Sequence, residues 1–394
     1  MRDTPPRPAR PILLRLVWTA AALALALGLV RTFLLGVYRV DSASMEPYLH
    51  GSPQEGESVL VAYRRRPSLE RFDPVVILRP GERDPIVKRA VALPGETVQI
   101  SGGDLLVDGR RLRVQAPGLG PIAVYDERFE SLDRAFQLVG AWRKQGDGWR
   151  MEGRSAEPAL DVSAAFERKL LDERLGAGGE RHGGHVEVGD AILAFDLWLE
   201  GPGGRFGLRL SEEGDRFELA LDPLEGDLLR LTLSRRSGRG TAEPLSSIEL
   251  PVEWDRWHHL CFANRDNQLE LQLDGDRPCL SHAYEANTPL GGLPDPTYRH
   301  LMPRVAFWAA GLDARVRSVR ILRDVAYSNR GGYGVNQPLV LGPDELFVLG
   351  DNSSESLDSR ELGPVSLEEV LGVPLAVVWP PTGWRRLGRP GAGG

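Results

Sequence analysis

The sequence predicts a mainly β protein, with one N-terminal transmembrane helix, a β-sheet domain, and an antiparallel β-sandwich interrupting that domain. Three observations predict it. An apolar run follows a basic start. Short Val/Ile/Leu segments separated by turn residues occupy both ends of the exported part. Strict two-residue alternation fills the middle. The 394 residues suffice for two to three domains with real cores. With 42% hydrophobic and 26% charged residues, wholesale disorder and a polytopic membrane protein are excluded. A net charge of −7 argues against nucleic acid as a partner, which would call for a basic face. Gly 45 and Pro 30 imply many turns, hence many strands.

Residues 1–11 carry Arg2, Arg7 and Arg10 against Asp3 and read as a cytoplasmic flank. Residues 12–36 read as the anchor. Its uncharged core, Leu16–Val30, spans only about 22 Å of helix against a hydrocarbon layer of about 30 Å. Arg15 and Arg31 would have to snorkel to opposite interfaces. A cleaved secretory signal is the competing reading, since Ala22-Leu-Ala24 and Ala24-Leu-Ala26 mimic a processing site. Either way the bulk is exported. The expected location is the cytoplasmic (inner) membrane, single-pass, with the N-terminus inside and the remainder on the outer or periplasmic side.

Within 37–120, strands are expected at Ser58–Ala62, Asp73–Leu78, Ile86–Leu93, Thr97–Ile100 and Leu105–Gly109, with Gly102-Gly103 and Asp108-Gly109 as hairpin turns. The insert, 121–326, opens with a helix expected near Leu132–Lys144. Alternation then dominates: Leu193/Phe195/Leu197/Leu199, Phe206/Leu208/Leu210, Phe217/Leu219/Leu221, Leu229/Leu231/Leu233 and Leu269/Leu271/Leu273. Half-buried strands at this spacing predict a sandwich. Residues 327–382 return to the first style, with buried strands at Leu346–Leu349 and Leu375–Trp379, and 383–394 reads as a flexible tail.

Several common catalytic signatures are absent: no H-E-x-x-H, no G-x-S-x-G and no P-loop. His182-Gly-Gly-His185 lacks a third ligand and reads as a loop; His258-His259 reads as structural. No metal or cofactor is expected. Three segments stand apart: Val40-Asp-Ser-Ala-Ser-Met-Glu-Pro47, Ile86-Val-Lys-Arg-Ala-Val-Ala-Leu-Pro-Gly95, and Leu349-Gly-Asp-Asn-Ser-Ser-Glu-Ser-Leu-Asp-Ser-Arg360. In this order they resemble the type I signal peptidases, Ser–Lys proteases that remove signal peptides. Arg31-Thr-Phe33, Phe72–Ile77 and Gly372–Pro380 add to the resemblance, which covers about half the chain. Departures from the family pattern are Asp41 for Pro, Tyr48 for Thr, Val87 before the lysine, Ala92 for Gly and Glu96 for Asp. None removes a group the chemistry needs.

The resemblance implies a signal-peptidase-type β-sheet domain and a role for each matched residue. Ser44 matches the nucleophile and Lys88 the base that takes its proton. A lysine acts as base only when neutral. Bringing its pKa from about 10.4 to about 7.5 costs roughly 4 kcal/mol, which burial among apolar groups supplies. On a strand, Lys88 shares a face with Ile86, Ala90 and Ala92, while Arg89 points the other way. Ser42, with the backbone N–H of Ser44, matches the oxyanion hole, and Ser356 matches the serine that orients the base. Asp351, Asp358 and Arg360 match an ion-pair cluster that supports the site; Ser353, Ser354 and Ser359 read as loop residues. The implied substrates are signal-peptide-bearing preproteins cut after small residues of the Ala-x-Ala type, bound extended along a sheet edge and presented at a lipid bilayer.

In the insert, Trp257-His-His-Leu-Cys-Phe262 followed by Leu269-Glu-Leu-Gln-Leu-Asp-Gly275 resembles the laminin-G or concanavalin-like jelly roll. That resemblance implies a carbohydrate or protein ligand, against the plainer reading of a spacer. Cys261 and Cys279 either pair across adjacent strands or stay free. The expected state is a monomer. The alternative function is a membrane-tethered binding protein on a degenerate peptidase scaffold, with the sandwich as its working half. A LexA-like self-cleaving protease is disfavoured, because no DNA-binding module is present.

Overall fold

The computed structural model describes the chain except residues 1–14, 16, 24, 26, 27, 29–33, 64–67, 113–118, 155–161, 177, 185, 186, 213, 239, 255, 286–303, 336 and 388–394. The fold is mainly β. The expected transmembrane helix over 12–36, and with it the single-pass inner-membrane location, is not borne out. Among the described residues no helix is long and apolar enough to cross a membrane. Within that stretch positions 15, 17–23, 25 and 28 are helical, and the others before Leu34 lie outside the described residues. The physical reason is the shortfall between charges: Arg15 and Arg31 bracket an uncharged core of about 22 Å, which does not match about 30 Å of hydrocarbon.

Contacts divide the chain into two units, 1–119 with 329–394, and 120–328. The first unit is built on an antiparallel sheet in the order Leu35–Arg39, Ser58–Tyr63, Val370–Trp379, Pro74–Ile77, Ile86–Ala92, Glu345–Leu349, Val365–Ser366. Both halves of the sequence contribute to it. Val75 pairs with Lys88, Pro74 and Leu349 both pair with Arg89, and Val348 pairs with Ala90. The strand Ile86–Ala92 is buried from Val87 onward on both faces, which follows from its near-continuous apolar run. A small second sheet joins Leu339–Val340, Thr97–Ser101, Asp104–Val107 and Arg110–Arg111. Its expected turns are present, and Asp108 and Gly109 both have positive φ (50° and 73°), as a two-residue I′ hairpin requires. Val40, Met45, Val59, Val61 and Val377 form one core cluster; Val75, Ile77, Ala90 and Val348 form another.

The second unit is an antiparallel sandwich. One sheet runs Trp142–Gln145, Gly148–Glu152, Asp313–Arg323, Ala191–Leu199, His258–Arg265, Gln268–Leu273, Leu280–Ala283, with Ile122–Asp126 also paired to Asp313–Arg323. The other runs Glu243–Pro251, Leu228–Ser237, Asp215–Leu224, Arg205–Glu212, Val305–Ala310, Val162–Phe166, Phe136–Val139. The alternating residues meet in a single core, where Phe195 stacks on Phe307 at 5.4 Å and lies 6.1 Å from Phe206.

Two further expectations are corrected, and one open alternative is decided. The helix near Leu132–Lys144 is a single turn, Leu132–Ala135. Phe136-Gln-Leu-Val139 alternates and pairs with Val162–Phe166, and Trp142–Gln145 pairs with Gly148–Glu152, so tertiary pairing overrides helix propensity. The tail is ordered through Leu387: Arg385–Arg386 pairs with Val370–Trp379, and Leu387 joins the core. Cys261 and Cys279 are free thiols. Cys261 lies opposite Gln272, and Cys279 is on the far side of that strand, its N–H donating to Leu271. Two strand spacings, about 9.5 Å, exceed the reach of a disulfide.

Candidate active site

Ser44 sits in a short 3-10 turn, Ala43–Met45, closed by the Glu46 N–H donating to the Ala43 carbonyl. Lys88 projects from the middle of the strand Ile86–Ala92. The structure brings them together: Lys88 Nζ and Ser44 Oγ lie 2.7 Å apart, and the two residues are 3% and 4% exposed. Burial pushes the Lys88 ammonium down to about 8, partly offset by the negative charges of Asp358 and Asp351. No carboxylate stands at ion-pair distance from Lys88 among the described residues. A buried lysine without a counter-ion lowers its energy by losing a proton, which makes it a base near neutral pH.

Ser42 Oγ lies 3.1 Å from Ser44 Oγ, in extended backbone just before the turn. Ser356 is placed beside the same loop. A Cβ built on Gly350 would stand 2.2 Å from Ser356 Oγ and 2.5 Å from the Ser44 carbonyl, so only glycine fits between them. The Ser356 hydroxyl is buried and makes no hydrogen bond, so it lies near Ser44 without bonding to Lys88.

The expected acid–base cluster is two separate ion pairs. Asp351 is matched by Arg89, with Nε–Oδ1 at 2.7 Å, Nη2–Oδ2 at 2.5 Å, and no side-chain exposure on either partner. Arg89 also donates to the Phe72 carbonyl, and its guanidinium lies 4.8 Å from the Tyr48 ring centroid. Burial pushes the Asp351 carboxyl up, and the Arg89 charge pulls the other way. Asp358 is matched by Arg360 and accepts from the Gly350 N–H at 3.0 Å. Ser353 and Ser359 are more than loop residues. Ser353 accepts from Arg360 through its hydroxyl and its carbonyl, and Ser359 Oγ accepts from the Val348 N–H.

Sequence reasoning missed three contributors. Alternation placed Arg89 opposite Lys88, but on a strand covered on both faces that direction is also interior, so a counter-charge was required. Asn352 clasps the Ala43–Met45 turn, its N–H donating to the Ser44 carbonyl at 3.0 Å and its side-chain amide to the Ala43 carbonyl at 3.2 Å. Arg385 grips Glu57 with both Nη atoms and donates to the Tyr48 carbonyl, while the His50 N–H donates to Glu57. The first two had a signal in the motif spacing. The third had none, because it joins residues 328 positions apart.

The family pattern described as "Signal peptidase, peptidase S26" matches residues 13–138 and 319–379. The match is to a peptidase S26-type signal-peptidase domain split in two segments. Similarity to individual members is at family level. The chain is 37% identical over 84 residues to a signal peptidase I of Bacillus amyloliquefaciens, covering 21% of this chain and 43% of that protein. It is 31% identical over 121 residues to a signal peptidase I of Leptolyngbya laminosa, covering 28% and 59%. The chain thus spans about half the length of the signal peptidases it matches. Among solved structures, a carbohydrate-binding module, CBM66, from Bacillus subtilis aligns over 48% of this chain and 95% of its own, at 13% identity and a TM-score of 0.30. A legume lectin-like domain from Entamoeba histolytica aligns over 53% and 98%, at 12% and 0.33. At these scores neither likeness bears on the insert's fold or ligand.

Proposed function

We propose that this protein is a serine endopeptidase that removes signal peptides from exported preproteins, cutting after small residues, with Ser44 as nucleophile and neutral Lys88 as general base. The observation that carries the reading is the 2.7 Å approach of Lys88 Nζ to Ser44 Oγ inside a buried site. The family-level match of the signal-peptidase domain supports it.

In this reading Lys88 takes the Ser44 proton as Oγ attacks the carbonyl carbon after the small residue. Negative charge then develops on the carbonyl oxygen. The Ser44 N–H and the Ser42 hydroxyl stabilise it. The tetrahedral intermediate collapses, the C–N bond breaks, and Lys88 gives its proton to the leaving amine. An ester to Ser44 remains. Lys88 next deprotonates a water, which hydrolyses the ester and restores the enzyme. The ion pairs Arg89–Asp351 and Asp358–Arg360 hold the lysine strand and the Gly350 turn against the nucleophile loop.

The test is cleavage of a preprotein with an Ala-x-Ala site by wild type, Ser44→Ala and Lys88→Met. The expected result is cutting at that bond by wild type alone. Failure of folded wild type on several such substrates, or cutting by Ser44→Ala, overturns the reading.

A further inference from the structure

The turn that carries Ser44 is held from two sides, and only one of them belongs to the three motifs. On that side Asn352 donates to the Ala43 and Ser44 carbonyls. On the other, the chain runs on through 46–57 and folds back against the segment before the nucleophile. The Val40 N–H donates to the Glu57 carbonyl at 2.8 Å, and the Ser52 N–H donates to the Val40 carbonyl at 3.2 Å. A Cβ built on Gly51 would stand 1.7 Å from the Ser42 carbonyl, so only glycine allows this approach of backbone to backbone. A displacement of 46–57 therefore moves Ser42 and the turn behind it.

The anchor of this loop is a carboxylate outside the motifs. Glu57 is 7% exposed and accepts from the His50 N–H at 3.1 Å. Its charge is matched by Arg385, whose Nη1 and Nη2 lie 2.5 and 2.8 Å from the two carboxylate oxygens. The same Nη2 donates to the Tyr48 carbonyl at 2.7 Å. Arg385 stands on the last strand, Arg385–Arg386, which pairs with Val370–Trp379. One planar guanidinium thus ties Glu57 to Tyr48. The Tyr48 ring centroid lies 4.8 Å from the Arg89 guanidinium, and Arg89 is the neighbour of Lys88. The contacts close a ring around the dyad: Arg385 to Tyr48, Tyr48 to Arg89, Arg89 to Asp351, and back through Asn352 to Ser44.

We infer that Arg385 is a positioning residue: by joining Glu57 to the Tyr48 carbonyl it keeps the nucleophile turn closed over the Lys88 amine and keeps water from reaching that amine. The other groups facing Lys88 are few. The flanking strand Pro74–Ile77 brings only apolar side chains, and Val75 lies directly opposite. The lysine strand itself adds Arg89, which turns away to Asp351. The loop after Leu349 adds the charges of Asp358, Asp351 and Arg360. Changing Arg385 removes none of these. Releasing the turn admits water to the ammonium and relieves the burial that pushes it down to about 8. That Lys88 acts as a base rests on the function proposed above, whereas its titration does not.

Lys88, Lys144 and Lys169 are the only lysines of the chain, so the full chain labelled with [ε-13C]lysine gives three side-chain signals, assigned by Lys88→Met, Lys144→Arg and Lys169→Arg. Each is titrated by NMR, and in wild type the Lys88 midpoint is expected near 8. Glu57→Gln combined with Arg385→Gln removes both charges together and strands neither. It should raise the Lys88 midpoint by about one pH unit or more and leave the other two lysines in place. Arg385→Lys keeps a charge on Glu57 without also reaching the Tyr48 carbonyl, and should raise the midpoint by about half as much. Cleavage gives a second readout: in the double variant kcat/KM at pH 7 should fall about tenfold and return toward wild type as pH passes about 10. An unmoved Lys88 midpoint in the folded double variant, or in Arg385→Lys where the double variant does not fold, overturns the inference. So does a wild-type Lys88 with the ordinary midpoint, or a loss of activity that is equal at every pH. A low wild-type midpoint that rises in the variants, in a protein that cuts no preprotein, sustains the inference and overturns the protease reading instead.

Discussion

Arg230 in the insert and Arg89 in the peptidase unit each hold a carboxylate, at 2.9 and 2.5 Å, yet the first pair is 46% exposed on both sides and the second has no exposed side chain at all. The difference lies in the sheets that carry them. The insert's sandwich strands present one face to solvent, so most of their charge sits there, while the few buried charges such as Arg323 lie outside the hydrocarbon core cluster. The lysine strand is covered on both faces, so every charge on it has to be matched inside or neutralised. Neighbouring residues show both solutions. Arg89 is matched by Asp351, whereas Lys88 has no carboxylate in reach and is pushed down to about 8 by burial. A charge that is buried and left without an ion pair has its proton affinity changed; a charge paired at the surface adds only solubility and modest stability.

The comparison breaks most visibly at the dyad. Ser44→Ala and Lys88→Met should each lower kcat/KM by about ten-thousand-fold, measured on a preprotein substrate with circular dichroism confirming the fold. Next comes Arg89→Met, which strands Asp351 in the interior. It should cost about 3–5 kcal/mol in denaturant titration, and adding Asp351→Leu should recover most of that loss. In the insert the comparable damage comes from carbon rather than charge: Phe195→Ala should cost about 3–5 kcal/mol through cavity formation.

Lys88 gives a prediction of opposite sign. Its pKa in the folded chain lies near 8, below the ordinary value of 10.5. Between those values the unfolded chain binds a proton that the native chain does not, so native stability rises with pH across that window. Below about 8 the full penalty is present, about 3 kcal/mol at 1.36 per unit. Lys88→Met should therefore unfold at higher denaturant than wild type at pH 7, and the difference should shrink as pH passes 10. In the same way kcat/KM should rise about tenfold per pH unit up to about 8 and then level off, since only the neutral amine accepts the Ser44 proton. The smallest effect is expected at the surface: Arg230→Ala should change stability by less than about 1 kcal/mol.

Much of this was legible before any coordinates. The two-residue alternation of Phe206/Leu208/Leu210 and its repeats specified half-buried strands, because a period of two admits only one burial pattern. Motif spacing named Ser44, Lys88, Ser42 and Ser356 as one group. What misled was local: Leu132–Lys144 has residues that suit a helix, but its register with Val162–Phe166 and Gly148–Glu152 decided for strands. At the N-terminus the apolar run predicted a span, whereas among the described residues no helix is long and apolar enough to cross a membrane.

By itself, the sequence determined the periodicities, the turns and the order of the three motifs, since these depend on residues close along the chain. The tertiary structure alone decided which buried charge meets which. Arg89 and Asp351 are 262 positions apart, and Arg385 and Glu57 are 328 apart. It also decided that Lys88 would be buried with no carboxylate at ion-pair distance among the described residues. The physical reason is that side-chain pairing and desolvation are set by distance in space, and no local pattern encodes a distance closed by a whole domain.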